Sequence, residues 1–597
     1  MKQISYPTYI APSGASFAST REAVNDTAVV RTDAAKLDYA GTVLTLVDPS
    51  QKTIATAGKE FHTFVIGETG CGKTRRVILP TIRMIGKTRR SMVITDPKGE
   101  IYKRTGTELK KKGYNVLLLD FRDPIHSMRW NPLEIVERLF LSDSTKDKDQ
   151  ALLMLQDLAD TLKERVHSSE DTFWEVAASK MFMGVCLLII ENCPRGSLTF
   201  ENVAIVARKI FAAMTNKMTF QRENHYDPVS ILKSIPANSP IASCFTGFLS
   251  TANETARGML AVFEELIGLY VTQYSLLDLF SKSEFDIESI GKKPTALYLI
   301  VPDDSAVLYP IATVFIKQIY SVLIRLADSN KDDKLDNEVS FILDEFANFA
   351  PFKDVDSMLT AARSRGITFT LVCQSMEQLE KKYPEGVSEV LMSNCRVWMY
   401  MSSRNYNFLE RLRNLVGEHV SPFDGTRRPL VEIHELQRFR MGQVLVLYDR
   451  NKPAYGFLPD YSEYDFGEPE SDTSFPPRHK ESDRIIVDPK DIFMKMEEAL
   501  YQPDDPDEDE PVFRGPPEPW VLDPETFLAQ FDSEPEKQQQ DQKKSDDTDR
   551  FPRISEKSSP FSRAWSRIHD WAAAKKPVPA PEPERRYRRR RRQQPPD

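Results

Sequence analysis

The stretch V-I-G-E-T-G-C-G-K-T, residues 65–74, places Lys73 and Thr74 directly behind three spaced glycines. It fits the phosphate-loop pattern G-x-x-x-x-G-K-[ST] and stands where that pattern works, between an apolar strand and a helix. Such glycines let backbone N–H groups face a polyphosphate. The Lys73 ammonium then reaches the β and γ oxygens, and the Thr74 hydroxyl ligates Mg²⁺. Gly67, Glu68, Thr69, Gly70, Cys71, Gly72, Lys73 and Thr74 are therefore candidate positions for binding ATP.

A site that hydrolyses a nucleotide also needs acids opposite the loop. The run V-S-F-I-L-D-E-F (339–346) supplies them at the end of an apolar strand. Asp344 is suited to hold Mg²⁺ through water, and Glu345 to polarise the attacking water as a general base. The next run, T-F-T-L-V-C-Q-S (368–375), ends in Gln374, a neutral group at a strand's carboxyl end, placed to sense the γ-phosphate. Between them, A-A-R-S-R-G (361–366) carries Arg363 and Arg365 on the last turn of a helix. Arginines there either offset the helix dipole or act as a finger in a neighbouring subunit's site, worth about 10³ to 10⁵ in rate where such fingers occur.

These groups need strands and helices to carry them. From residue 61, the apolar runs F-H-T-F-V-I-G, S-M-V-I-T-D-P and N-V-L-L-L-D-F alternate with amphipathic stretches. That alternation predicts βαβ crossovers and a parallel sheet, hence an α/β fold. Between about 140 and 285 only helical spacing of apolar residues remains, as in F-W-E-V-A-A-S-K-M-F-M-G-V-C-L-L-I-I-E-N. Strand and helix alternate again from T-A-L-Y-L-I-V-P and close near Tyr461. The expected organisation is a lead-in segment 1–55, two parts of a nucleotide-binding domain at 56–144 and 286–467, an all-helical inserted domain at 145–285, and a tail at 468–597. Pro, acidic and basic residues dominate the tail, so it is expected to be largely disordered, apart from a short helix around R-A-W-S-R-I-H-D-W-A-A-A-K-K.

The net charge of −9 predicts no general affinity for nucleic acid, but P-D-D-P-D-E-D-E-P (503–511) and R-R-Y-R-R-R-R-R (585–592) make its distribution uneven. Binding of a polyanion must therefore be local, in a channel or on the arginine tail. That tail also suits anionic lipid or the acidic stretch, or stays solvated without a partner. The six cysteines show no C-x-x-C spacing, which argues against a zinc site or a disulfide framework and fits a reducing compartment. The longest apolar run, M-F-M-G-V-C-L-L-I-I (181–190), falls short of the ~20 residues that span a bilayer. No secretory signal opens the chain. A cytoplasmic location is expected, or a peripheral one at the inner face of the cell membrane.

The phosphate loop, D-P-K-G-E (96–100), W-N-P-L (130–133), D-T-F-W-E-V-A-A (171–178), T-A-N-E-T-A-R-G (251–258), L-D-E-F-A-N and C-Q-S-M-E-Q-L occur in one order. Over residues 60–461 the chain resembles the TraG-like coupling proteins of conjugative type IV secretion. The resemblance implies a RecA-like P-loop ATPase with ATP and Mg²⁺ as ligands, assembled as a homo-hexamer. It would receive a relaxase–DNA complex, contact DNA largely without regard to sequence, and pass the substrate to a secretion channel. It assigns Lys73, Thr74, Asp344, Glu345 and Gln374 the roles argued above. It favours Arg363 over Arg365 as the trans-acting arginine, because Arg363 lies eleven residues before Gln374. The helical insertion would face substrate at the ring entrance. Members of that family begin with transmembrane helices, whereas this chain reaches its loop without one, so membrane association is expected only through a partner or a separately encoded anchor. Two other readings stay open: a nucleotide-gated recruitment adaptor without motor activity, and an FtsK-like DNA pump. The pump ranks last, since no C-terminal winged-helix pattern is present.

Overall fold

Strands covered on both faces read as continuous apolar runs, and T-F-V-I-G, S-M-V-I-T, T-A-L-Y-L-I and V-S-F-I-L are buried at every position. The computed structural model describes residues 15–500 except 25, 164–171, 225, 303–305, 353, 384, 422–423, 469–471 and 478–483. The acidic run, the short helix expected in the tail and the arginine run lie outside the described residues.

Strands β1 (Ala28–Arg31), β2 (Val43–Asp48) and β3 (Thr53–Thr56) form a small antiparallel sheet in the order β1-β3-β2. The central sheet holds β4 (Thr63–Gly67), β5 (Ser91–Thr95), β6 (Asn115–Asp120), β7 (Thr295–Ile300), β8 (Val339–Leu343), β9 (Ile367–Cys373) and β10 (Val397–Ser402). A short hairpin, β11 (Glu418–Val420) and β12 (Arg427–Pro429), follows, and then β13 (Gln443–Tyr448) and β14 (Ala454–Phe457). The central order is β14-β13-β10-β4-β9-β8-β5-β7-β6. From β10 to β6 every neighbouring pair is parallel, and β13 and β14 extend the sheet antiparallel. Ile66 lies opposite Cys373, Leu343 opposite Leu371 and Ile94 opposite Ile342, so β4, β9, β8 and β5 end almost level.

Eight helices and no strand occupy the described residues between Thr145 and Leu279. Their apolar faces continue the core of the sheet. Trp130 packs on Phe315 at 4.6 Å between ring centroids and on Phe280, which meets Tyr270 and Phe200 in turn. Two helices, Phe173–Asn192 and Ala306–Asp328, are long and apolar enough to cross a membrane, and two thirds of each such window is buried inside the fold. All six cysteines are free.

Two described pieces of the expected tail, residues 472–477 and 484–500, are tied to the fold. The Thr473 amide donates to the Lys103 carbonyl at 2.7 Å, and the Asn202 side chain grips the chain further on. Its Nδ2 donates to Ile485 O at 2.8 Å, and its Oδ1 accepts from Val487 N at 3.1 Å. The helix Pro489–Leu500 then buries Ile492 and Phe493 against the helical insertion, with Phe493 stacked on Tyr226. Its apolar residues are few but share one face, which the segment's average composition conceals.

His62, just before β4, is 3% exposed. Its Nδ1 accepts from the Phe369 amide of β9 at 3.0 Å, and its Nε2 contacts the Leu359 carbonyl at 2.8 Å, in the helix Val355–Ser364. An amide can only donate and a carbonyl only accept, so the ring is the neutral tautomer with hydrogen on Nε2. Burial pushes its pKa down to about 4; the Leu359 bond opposes that shift and the nearby Arg363 adds to it.

Two outcomes follow from this packing. A chain ending at residue 483 uncovers the sites of Ile492 and Phe493, each worth about 1.5–3 kcal/mol of burial, and is expected to melt several degrees below a chain ending at 504. Equal melting temperatures would show that the segment adds nothing. For His62, the folded pKa of about 4 lies below the unfolded value, so its neutral state supports folding fully above pH ~6.5 and less as pH falls toward 4. Denaturant melts should lose about 2 kcal/mol between pH 7 and 5 from this group, a loss absent in His62→Gln.

Candidate active site at the carboxyl edge of the sheet

The loop leaving β4 turns through Gly70 and Gly72 at φ +83° and +93°, a region glycine enters without strain. Lys73 then opens a single π-helical turn, Thr74–Ile78, which continues as the α-helix Leu79–Ile85. The Lys73 ammonium is nearly buried and donates to Gly67 O at 2.7 Å and Glu68 O at 3.4 Å. The loop's own carbonyls thus hold the cation across its mouth. Thr74 sits half-buried at the first position of that turn.

Opposite the loop, β8 ends in Asp344, which is 6% exposed. Burial, reinforced by the Glu345 carboxylate, pushes its pKa up to about 7, while Lys73 pulls the other way. Glu345 adopts φ 55°, ψ 42°, a left-handed conformation costly for a residue with a side chain. Its amide donates to Asp344 Oδ1 at 3.0 Å, and the following turn is held by Phe346, stacked on Phe352 and Tyr383. Glu345 is left half-buried at the rim. Gln374, just past β9, accepts from the Thr69 hydroxyl at 2.8 Å, a direct link between strand end and loop.

Arg363 does not join this group within one chain. The helix Val355–Ser364 runs back to the start of β9, so its last turn lies at the opposite edge of the sheet from the loop. The seven residues of β9 separate the two edges by about 20 Å. Arg363 is exposed and its side chain forms no hydrogen bond or ion pair among the described residues, whereas Arg365 Nε is paired with Asp328 at 3.1 Å.

A further acid, Asp96, stands at the same edge. It follows β5 level with Asp344, is 1% exposed, and accepts the Tyr102 amide on Oδ2, while Oδ1 has no hydrogen-bond partner among the described residues. Burial pushes its pKa up to about 6. The signal was present, since S-M-V-I-T-D ends in an acid as S-F-I-L-D does. Ser402, whose Oγ accepts the Glu68 amide at 3.1 Å, had no such signal. No group of three or more metal-ligating side chains occurs among the described residues.

Residues 14–428 match the family model described as Type IV secretory system Conjugative DNA transfer. Protein VirD4 of Rhizobium rhizogenes is 22% identical over 369 residues, 61% of this chain and 50% of that protein. Conjugal transfer protein TraG of Rhizobium radiobacter is 22% identical over 416 residues, 66% of this chain and 60% of that one. The chain thus spans about half the length of the VirD4 relatives it matches. Among solved structures, unbound TrwB, a bacterial conjugative coupling protein lacking its first 70 residues, aligns with TM-score 0.52 at 16% identity, covering 78% of this chain and 97% of that one. TrwB in complex with ADP and Mg²⁺ aligns with TM-score 0.52 at 15% identity, covering 76% and 95%. The structural likeness identifies the fold as that of a RecA-like P-loop NTPase, and the family match over most of its length makes this chain a member of the type IV secretory system conjugative DNA transfer family.

Proposed function

We propose that this chain is an ATP-hydrolysing coupling protein that drives DNA, with its relaxase, toward a type IV secretion channel. The observation that carries the reading is the convergence of Lys73, Asp344, Glu345 and Gln374 at the ends of three adjacent strands, β4, β8 and β9. TrwB, which has the same fold, has been solved with ADP and Mg²⁺.

In this reading the loop amides and Lys73 hold the β and γ phosphates of ATP. Thr74 and Asp344 hold Mg²⁺, which supplies positive charge to neutralise the transferring phosphoryl group. Glu345, at the rim, takes the proton of the attacking water. Gln374 passes the state of the γ-phosphate to the loop through Thr69. Arg363, stranded at the far edge, completes a neighbour's site in a homo-hexameric ring, and Arg365 stays tied to Asp328. DNA is held through its phosphates, so binding weakens steeply with salt and carries little sequence preference. The chain works in the cytoplasm and meets the membrane through a partner.

Lys73→Ala is expected to abolish nucleotide binding, while Glu345→Gln binds ATP and loses roughly 10²- to 10⁴-fold in turnover, the usual worth of a general base. Equal, near-native rates in both variants would overturn the site. Arg363→Ala should bind ATP and lose orders of magnitude in turnover. Mixed with Glu345→Gln it should recover part of the activity, since each subunit supplies what the other lacks. Mixed rings that form without recovery, together with slow hydrolysis insensitive to DNA, would favour the recruitment adaptor.

A further inference from the structure

The helix whose last turn carries Arg363 is joined to the foot of β4 and to the helix Tyr309–Asp328 by hydrogen bonds as well as by packing. His62 Nε2 donates to Leu359 O at 2.8 Å, and the Tyr320 hydroxyl donates to the adjacent carbonyl, Met358 O, at 3.0 Å. Successive carbonyls point about 100° apart around a helix. Two donors on neighbouring carbonyls therefore fix the helix against rotation about its axis, which the apolar contacts of Val355, Leu359 and Ala362 alone do not. In an α-helix the Leu359 carbonyl is also the acceptor for the Arg363 amide, four residues on. The same imidazole accepts from Phe369 N in β9, the strand that leads to Gln374, and its own backbone opens β4, the strand that leads to the phosphate loop. One buried ring thus ties the arginine helix to both strands of the nucleotide site.

We propose that His62 is a positioning residue for Arg363: it fixes the direction in which a subunit presents its arginine to the neighbour, and couples that direction to the strands that carry the subunit's own loop and Gln374. The inference rests on Arg363 acting in trans. Its particular consequence is that a defect at His62 falls on the neighbour's site, although His62 lies at the foot of its own loop strand.

The test uses the full chain and two substitutions that split the ring's bonds. Asn places an acceptor where Nδ1 stands and loses the link to Leu359; Gln places a donor where Nε2 stands and keeps that link. His62→Asn is expected to assemble and to bind ATP as the native chain does. Its turnover should fall roughly a hundredfold, the cost of a misplacement of about 1 Å. Mixing with Glu345→Gln, which has an intact arginine, should restore activity, and mixing with Arg363→Ala should not. His62→Gln should keep most of the turnover. Restoration by Arg363→Ala, native turnover in His62→Asn, or equal loss in the Asn and Gln variants would each overturn the proposal. If His62→Asn does not assemble, Tyr320→Phe removes the neighbouring tether alone and must fall in the same complementation class; any other class overturns the proposal. Arg363→Ala and Glu345→Gln mixed with each other are the control. Their failure to complement would remove the trans-acting arginine itself, whereas their success with His62→Asn in the wrong class would remove only the role of His62.

Discussion

Parallel pairing of β4, β9, β8 and β5 in one register is the constraint on which the rest depends. Gly67 ends β4, and Gln374, Asp344 and Asp96 each follow the last residue of a strand; the strands end together because Ile66, Cys373, Leu343 and Ile94 are locked in their pairings. A slip of one residue would move a strand end by about 3.3 Å and turn every side chain to the other face. Burial on both faces forbids that slip, since it would break the packing of two cores at once. The price is a set of carboxylates in a poorly solvated place. Asp344 and Asp96 are both held toward their protonated forms, and Lys73 is the positive charge that offsets this at Asp344.

The same edge concentrates irregular backbone. A π-helical turn follows the loop and Glu345 is left-handed, although neither is demanded by the packing of the sheet. Such departures persist where surrounding structure over-determines them. Here that structure is the buried aromatic stack of Phe346, Phe352 and Tyr383 on one side and the fully buried Val77 and Ile78 on the other. Both irregular turns are thus backed by buried apolar residues.

Much of this was legible in the sequence, and the reason lies in chain distance. The phosphate loop is a run of consecutive residues, and Asp344, Glu345 and Gln374 close apolar runs, so a one-dimensional reading finds them. The helical insertion declared itself by spacing. His62 did not, because its partners Leu359 and Phe369 lie 297 and 307 residues away and a histidine at the start of a strand has no signature of its own. The clasp on Ile485 and Val487 was hidden likewise, for Asn202 is 283 and 285 residues from them. Asp96 differs from both. It closes an apolar run just as Asp344 does, and it also opens the block D-P-K-G-E.

The docking of residues 484–500 sets where mechanical load enters the molecule. The described chain ends on the helical insertion, held by Asn202, by the Arg484–Glu201 pair and by Phe493 against Tyr226. A pull on residue 500 meets those contacts first, before the bond between Thr473 and Lys103. A label or fusion joined there sits on the helical insertion, and a tether at that point loads the insertion's contacts first.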